Sequence, residues 1–142
     1  MPDIPIQAAI ELARKALSLE SGIPARAEFV SRLDRSGAGY YLVSFGARNA
    51  TVGLAAVDPS TGDVLSHARV PGSGFHEMLA AEEARLRTGT IGAESTRLVW
   101  RPCRASFSML YPLWEIATLR GLVYVDQQGR LWTELEPGGP GG

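Results

Sequence analysis

The stretch Ala56-Val57-Asp58-Pro59-Ser60-Thr61-Gly62-Asp63-Val64-Leu65 constrains the fold more than any other part of this chain. An apolar run stops at an aspartate, short polar residues follow, a glycine supplies backbone freedom, and an apolar run resumes. That order specifies a strand, a tight turn and an antiparallel strand. A looser copy, Val123-Tyr124-Val125-Asp126-Gln127-Gln128-Gly129-Arg130-Leu131-Trp132, carries the same signal near the other end. Turns this short join only antiparallel neighbours, so two such hairpins commit the chain to antiparallel sheet.

The remaining pattern is organised around them. Ile6, Ala9, Ile10, Ala13, Ala16 and Leu17 form one apolar stripe at helical spacing, which predicts a helix over 4–17 with one core-facing side. Strand-like content fills 25–33, 40–45, 51–57 and 64–70, separated by turn residues at 34–39, 46–49 and 58–63. Tyr41, Val43 and Phe45 alternate with Leu42 and Ser44, as on a pleated sheet with one more apolar face. After Pro71-Gly72-Ser73-Gly74 the pattern predicts a helix over 75–87, strands over 96–101, 111–118, 122–126 and 130–135, and a flexible Gly/Pro tail over 137–142.

The two halves also match one another. Ile6, Ile10 and Leu17 fall on Phe75, Leu79 and Leu86, and Phe29 and Val30 fall on Leu98 and Val99 at the same offset; Asp58 falls on Asp126 one residue closer. The expectation is an α+β fold of two repeats, 1–70 and 71–136, each a helix followed by an antiparallel β-meander, with the helices packed on one face of the sheet or sheets. A unit of about 70 residues is marginal alone, so a shared core or edge-to-edge pairing is expected.

Composition narrows the function. Hydrophobic residues make up 45% and charged residues 20%, enough apolar material to build a core. The net charge of −1 supplies no global field for a nucleic-acid backbone or an anionic membrane. Lys15 is the only lysine among fourteen basic residues, a bias in keeping with a GC-rich genome. Cys103 is the only cysteine, so no intrachain disulfide and no paired metal site can form from thiols. No stretch approaches the roughly 20 apolar residues of a membrane span. The opening Met-Pro-Asp lacks the features of a signal peptide, which places the protein in the cytoplasm, or outside it if an export signal has been trimmed.

At this level the chain resembles the PepSY family and, more loosely, the cystatin-like arrangement of a helix on an antiparallel sheet. The residues that carry the resemblance are Ile6-Gln7-Ala8-Ala9-Ile10-Glu11-Leu12-Ala13, Tyr40 to Phe45, Val57 to Val64, Pro112 to Ile116 and Val123 to Leu131. The second hairpin departs from the first in lacking its Pro-x-Thr. The resemblance implies association with peptidases, among them peptidase inhibition, and with the bacterial cell envelope.

Candidate site residues come from residue type and position. Glu82 falls between Phe75, Leu79 and Leu86 on the predicted second helix, inside its apolar stripe. A carboxylate there is a candidate buried acid, or else reaches Arg85, the sheet edge or solvent. Cys103 with His67 or His76 has the residue types of a nucleophile and base, without a local signature around the cysteine. Gly72-Ser73-Gly74-Phe75 opens a helix and offers N–H groups to an anion, or simply a cap. Asn49-Ala50-Thr51 matches a glycosylation acceptor, a pattern common by chance. All three tryptophans, Trp100, Trp114 and Trp132, lie in the second half with Phe107, Tyr111 and Tyr124, interleaved with Arg97, Arg101, Arg104, Arg120 and Arg130. Such a mixture fills a core and solvates its rim, forms a protein-binding surface, or stacks single-stranded bases, the reading the net charge disfavours; Trp100, Arg101, Tyr111, Arg130 and Trp132 are the candidate partner-binding set. The function expected is a non-catalytic module that binds a peptide or protein, a peptidase on the family resemblance, with no cofactor, metal, nucleic-acid partner or membrane span. The alternative is a structural domain that self-associates as a homodimer through its sheets.

Overall fold

The computed structural model describes residues 3–35, 37–47, 50–70, 79–89 and 95–136. In order these form α1 (Ile6–Leu17), β1 (Ala25–Arg32), β2 (Gly39–Ala47), β3 (Ala50–Val57), β4 (Val64–Arg69), α2 (Ala81–Thr88), β5 (Ser95–Trp100), β6 (Leu113–Thr118), β7 (Gly121–Val125) and β8 (Leu131–Trp132). The strands hydrogen-bond as one eight-stranded sheet in the order β4-β3-β2-β1-β5-β6-β7-β8. Neighbours β2/β3, β3/β4, β5/β6, β6/β7 and β7/β8 are antiparallel, whereas β1 and β5 run parallel through Ser31↔Val99 and Arg32↔Trp100.

This mixed sheet overturns the expected pair of helix-plus-meander repeats. Val30 and Val99, equivalent positions in the sequence match, lie on strands that pair with each other; Ser31, one residue on, is the partner of Val99. The second helix is also no counterpart of the first. It spans only 81–88 and buries only Ala84, whereas α1 buries Ala9, Ile10, Ala13 and Leu17. The predicted start of that helix at 75, the loop at 71–74, His76, Asn49 and the tail at 137–142 lie outside the described residues.

The chain divides into two compact units, Met1–Val30 with Gly37–Met78, and Ser31–Ser36 with Leu79–Gly142. In the first, the α1 stripe packs against Val43, Phe45, Ala55 and Val57, with Tyr41, Val52 and Val64 around them. Each fully buried aliphatic side chain there contributes roughly 1.5–3 kcal/mol. Arg14, on the flank of α1, ties the helix exit to the sheet. Its Nη1 donates to the carbonyls of Glu20 and Ile23 at 2.8 and 2.9 Å, and its guanidinium lies 5.1 Å from the centre of the Phe45 ring.

In the second unit, Val99, Cys103 and Leu113 form a buried cluster with Leu33, Ala105, Tyr124 and Leu135 packed against it. On the opposite face of the same strands, Trp114 Nε1 donates to the Leu79 carbonyl at 2.7 Å, and Arg85 Nε of α2 donates to Thr96 Oγ1 at 2.8 Å. Gln127 completes the anchorage of the chain entering α2, accepting from Leu79 N at 2.7 Å and donating to the Pro112 carbonyl at 2.8 Å.

Both hairpins are built as their turn residues dictate. In the first, Asp58 Oδ1 accepts from Ser60 N at 2.8 Å and Ser60 Oγ at 2.7 Å, and Gly62 takes φ +80°. In the second, Asp126 Oδ1 accepts from Gln128 N and Arg130 N, both at 2.9 Å, and Gly129 takes φ +86°. The difference is burial. Asp58 is half-buried, while Asp126 is 7% exposed and its Oδ2 also accepts from Trp132 Nε1 at 3.0 Å.

Replacing Asp126 with Ala therefore removes a buried acceptor from three donors and is expected to cost roughly 2–3 kcal/mol, against about 1 kcal/mol for Asp58→Ala. Urea unfolding at neutral pH checks both, and equal costs would contradict the role given to burial. The Ser60 hydroxyl and N–H hold the Asp58 carboxyl below its ordinary 3.8. Its contribution is therefore present above pH 3.8 and disappears as pH falls through the lowered value, so the cost of Asp58→Ala should vanish in strong acid.

Candidate functional site

Period-two alternation decides which second-half side chains share a surface. On β5, Arg97 and Val99 point one way and Leu98 and Trp100 the other; Arg101, just past the strand end, continues the first parity. The strand register then lines up Arg97 with Glu115 on β6, Glu115 with Tyr124 on β7, and Tyr124 with Trp132 on β8. A row of four polar and aromatic side chains thus crosses the face opposite α2.

Its geometry is specific. Arg97 Nε donates to Glu115 Oε1 at 2.8 Å, and their side chains are 56% and 11% exposed, so the pair has a buried acid and a solvated base. Tyr124 faces the same carboxylate across the β6–β7 pair. Burial is the main cause that raises the Tyr124 phenol above its ordinary 10.0, followed by the Glu115 charge and the pull of its carboxylate on the phenolic hydrogen; Arg97 and Arg101 act against them. Arg101 is half-buried, and its Nε is shut from solvent with no acceptor among the described residues. At the far end of the row the Trp132 ring is half-buried and held by Asp126.

The candidate residues thus part company. Arg101 and Trp132 belong to this face. Arg130 sits in the β7–β8 turn with an exposed side chain, its backbone N–H held by Asp126 Oδ1. Tyr111 lies in the loop before β6, half-buried, with its phenol raised by burial; its backbone N–H donates to Ser108 and its carbonyl accepts from Ser106 Oγ. Trp100 is corrected from surface to core. It is 6% exposed, points to the face away from Arg101, and carries the Arg32 guanidinium 5.1 Å from its ring centre. Arg32 is held in turn by Asp34 at 2.6 Å, which lowers the Asp34 carboxyl.

Glu82 is corrected from buried acid to exposed residue. It stands two positions before Ala84, the one buried residue of α2, and two helical steps of about 100° turn it to the opposite side. There, with Glu83, it supplies negative charge to the first turn of α2, which suits the helix dipole. Cys103 is buried and its thiol meets the Ser106 carbonyl at 3.7 Å; His67 lies on β4 in the other unit. Among the described residues no three His, Cys, Asp or Glu side chains converge, and no helix is long and apolar enough to cross a membrane.

Glu115 had no place among the candidates from sequence. The available signal was its position inside Leu113-Trp114-Glu115-Ile116, a carboxylate in the middle of a strand, which requires a partner on its own face. Glu115→Gln should therefore move the Tyr124 ionisation down towards 10.0 without reaching it, because burial remains. Alkaline difference spectroscopy, with Tyr124→Phe to identify the signal among four tyrosines, checks this. An unchanged titration would break the link between the two residues. Because this phenol is raised, the stability it lends is complete below pH 10.0 and is lost as pH climbs through the raised value.

No protein-family model and no curated protein matches the chain. Among solved structures, the crystal structure of a "putative lipoprotein" from Clostridium difficile 630 aligns over 94% of this chain and 93% of that one, at 13% identity and a TM-score of 0.35.

Proposed function

We propose that this chain is a non-catalytic binding module that receives a peptide or protein segment across the β5–β8 face. The observation that carries the reading is the Arg97–Glu115–Tyr124–Trp132 row with Arg101 beside it: an exposed Arg97 and half-buried Arg101, Tyr124 and Trp132, on the face away from α2. Arginine, tyrosine and tryptophan dominate the energetic centres of protein interfaces because each combines a large apolar contact with directed hydrogen bonds.

The sheet edges are poorer candidates. Strand β4 carries a register shift that leaves Leu65 without a cross-strand partner, and it ends in the exposed Arg69. Strand β8 is two residues long. A bulge, an edge charge and a short strand are devices that discourage strand addition. A peptidase is the partner class implied by the PepSY resemblance.

Selection from a library of random peptides tests the reading. Peptides retained by the wild-type protein should lose at least about tenfold in affinity on Trp132→Ala and on Arg101→Ala, and be unaffected by Leu65→Lys on β4. Loss only with the β4 variant would transfer binding to the edge. If nothing is retained and light scattering finds a dimer, self-association replaces the proposal.

A further inference from the structure

We propose that the segment received by the β5–β8 face is acidic, its carboxylates pairing with Arg101 and with the outer edge of Arg97 while an apolar or aromatic side chain lies against Trp132; this deepens the binding-module reading and rests on it. Arg101 is the group that the fold leaves most in need of a partner. Its Nε is buried without an acceptor, and among the described residues no carboxylate pairs with it. Only the Nε is closed to solvent, so an external carboxylate meets Arg101 through its Nη groups, and a carboxylate is the acceptor that matches a planar guanidinium.

Arg97 is half-satisfied by design of the row. Its Nε is spent on Glu115, while both Nη groups lack an acceptor among the described residues and the side chain stands 56% exposed. The two carboxylates of the face are already consumed. Glu115 accepts from Arg97, and Asp126 serves two backbone N–H groups and the Trp132 indole. What the row presents to solvent is therefore the Arg97 guanidinium and part of the half-buried Trp132 ring, beside the cluster of Val99, Cys103 and Leu113 against which Ala105 and Leu135 pack. A neutral segment would offer Arg101 only carbonyls, and a basic one would be repelled. Single-stranded nucleic acid is disfavoured by the net charge of −1 and by a buried Glu115 at the centre of the row.

The test uses fluorescein-labelled peptides of one length that share two tyrosines and carry Glu, Gln or Lys at the remaining variable positions, with oligothymidylate as a separate probe. Fluorescence anisotropy should place the Glu peptide at least about tenfold tighter than the Gln peptide, with the Lys peptide weakest. That preference should shrink as salt is raised. Arg101→Ala should abolish it and Arg101→Lys should restore only part, because lysine returns the charge without the fork. Far-ultraviolet circular dichroism and the Tyr124 titration confirm that each variant keeps the face. Equal binding of Glu and Gln peptides, lost on Trp132→Ala, would overturn the acidic occupant and leave the binding module standing. No binding by any peptide would overturn both. Tighter binding of oligothymidylate than of the Glu peptide would overturn the proposal in favour of a nucleic-acid surface.

Discussion

The Asp126 carboxylate sits where the local structure of the β5–β8 face is decided. Strand β8 contributes two residues to the sheet, and a strand that short has little pairing energy of its own. Asp126 supplies what the ladder does not: Oδ1 binds the turn through Gln128 N and Arg130 N, and Oδ2 binds the Trp132 indole. With the turn closed, Trp132 is held in register with Tyr124, and Tyr124 with Glu115. The same chemistry at Asp58 closes a turn between longer strands, which bring more ladder pairing of their own.

Burial of Glu115 follows a similar logic. A carboxylate in the middle of β6 has Arg97 donating to it from its own face, with Tyr124 opposite it on β7. Its desolvation is offset locally, and the cost of that arrangement appears as the free outer edge of Arg97. Arg101 is the contrast: a half-buried cation whose Nε finds no acceptor. On this face, among the described residues, Glu115 and Asp126 both have donors while the Arg101 Nε has no acceptor.

The aromatic residues divide between the two faces for a reason of geometry. Trp114 and Trp100 occupy the α2 side, one anchored through its indole to Leu79 and the other beneath the Arg32 guanidinium. Tyr124 and Trp132 occupy the other side. Trp100 and Arg101 are adjacent in sequence, and adjacent residues on an extended chain point to opposite faces, so they cannot share one binding surface.

What the sequence determined by itself was local. The aspartate and glycine turns, the helical stripe of α1 and the alternation of β2 are short-range properties of backbone freedom and side-chain period, and strands and turns lie where those properties place them. The same alternation, applied to residues 97–101, would have separated Trp100 from Arg101, and the mid-strand Glu115 was a legible anomaly. Tertiary structure alone decided the rest. The parallel meeting of β1 and β5, the truncation of α2 and with it the exposure of Glu82, and the row from Arg97 to Trp132 all depend on which distant strands become neighbours. That choice is made by burial summed over the whole chain, and no local pattern carries it.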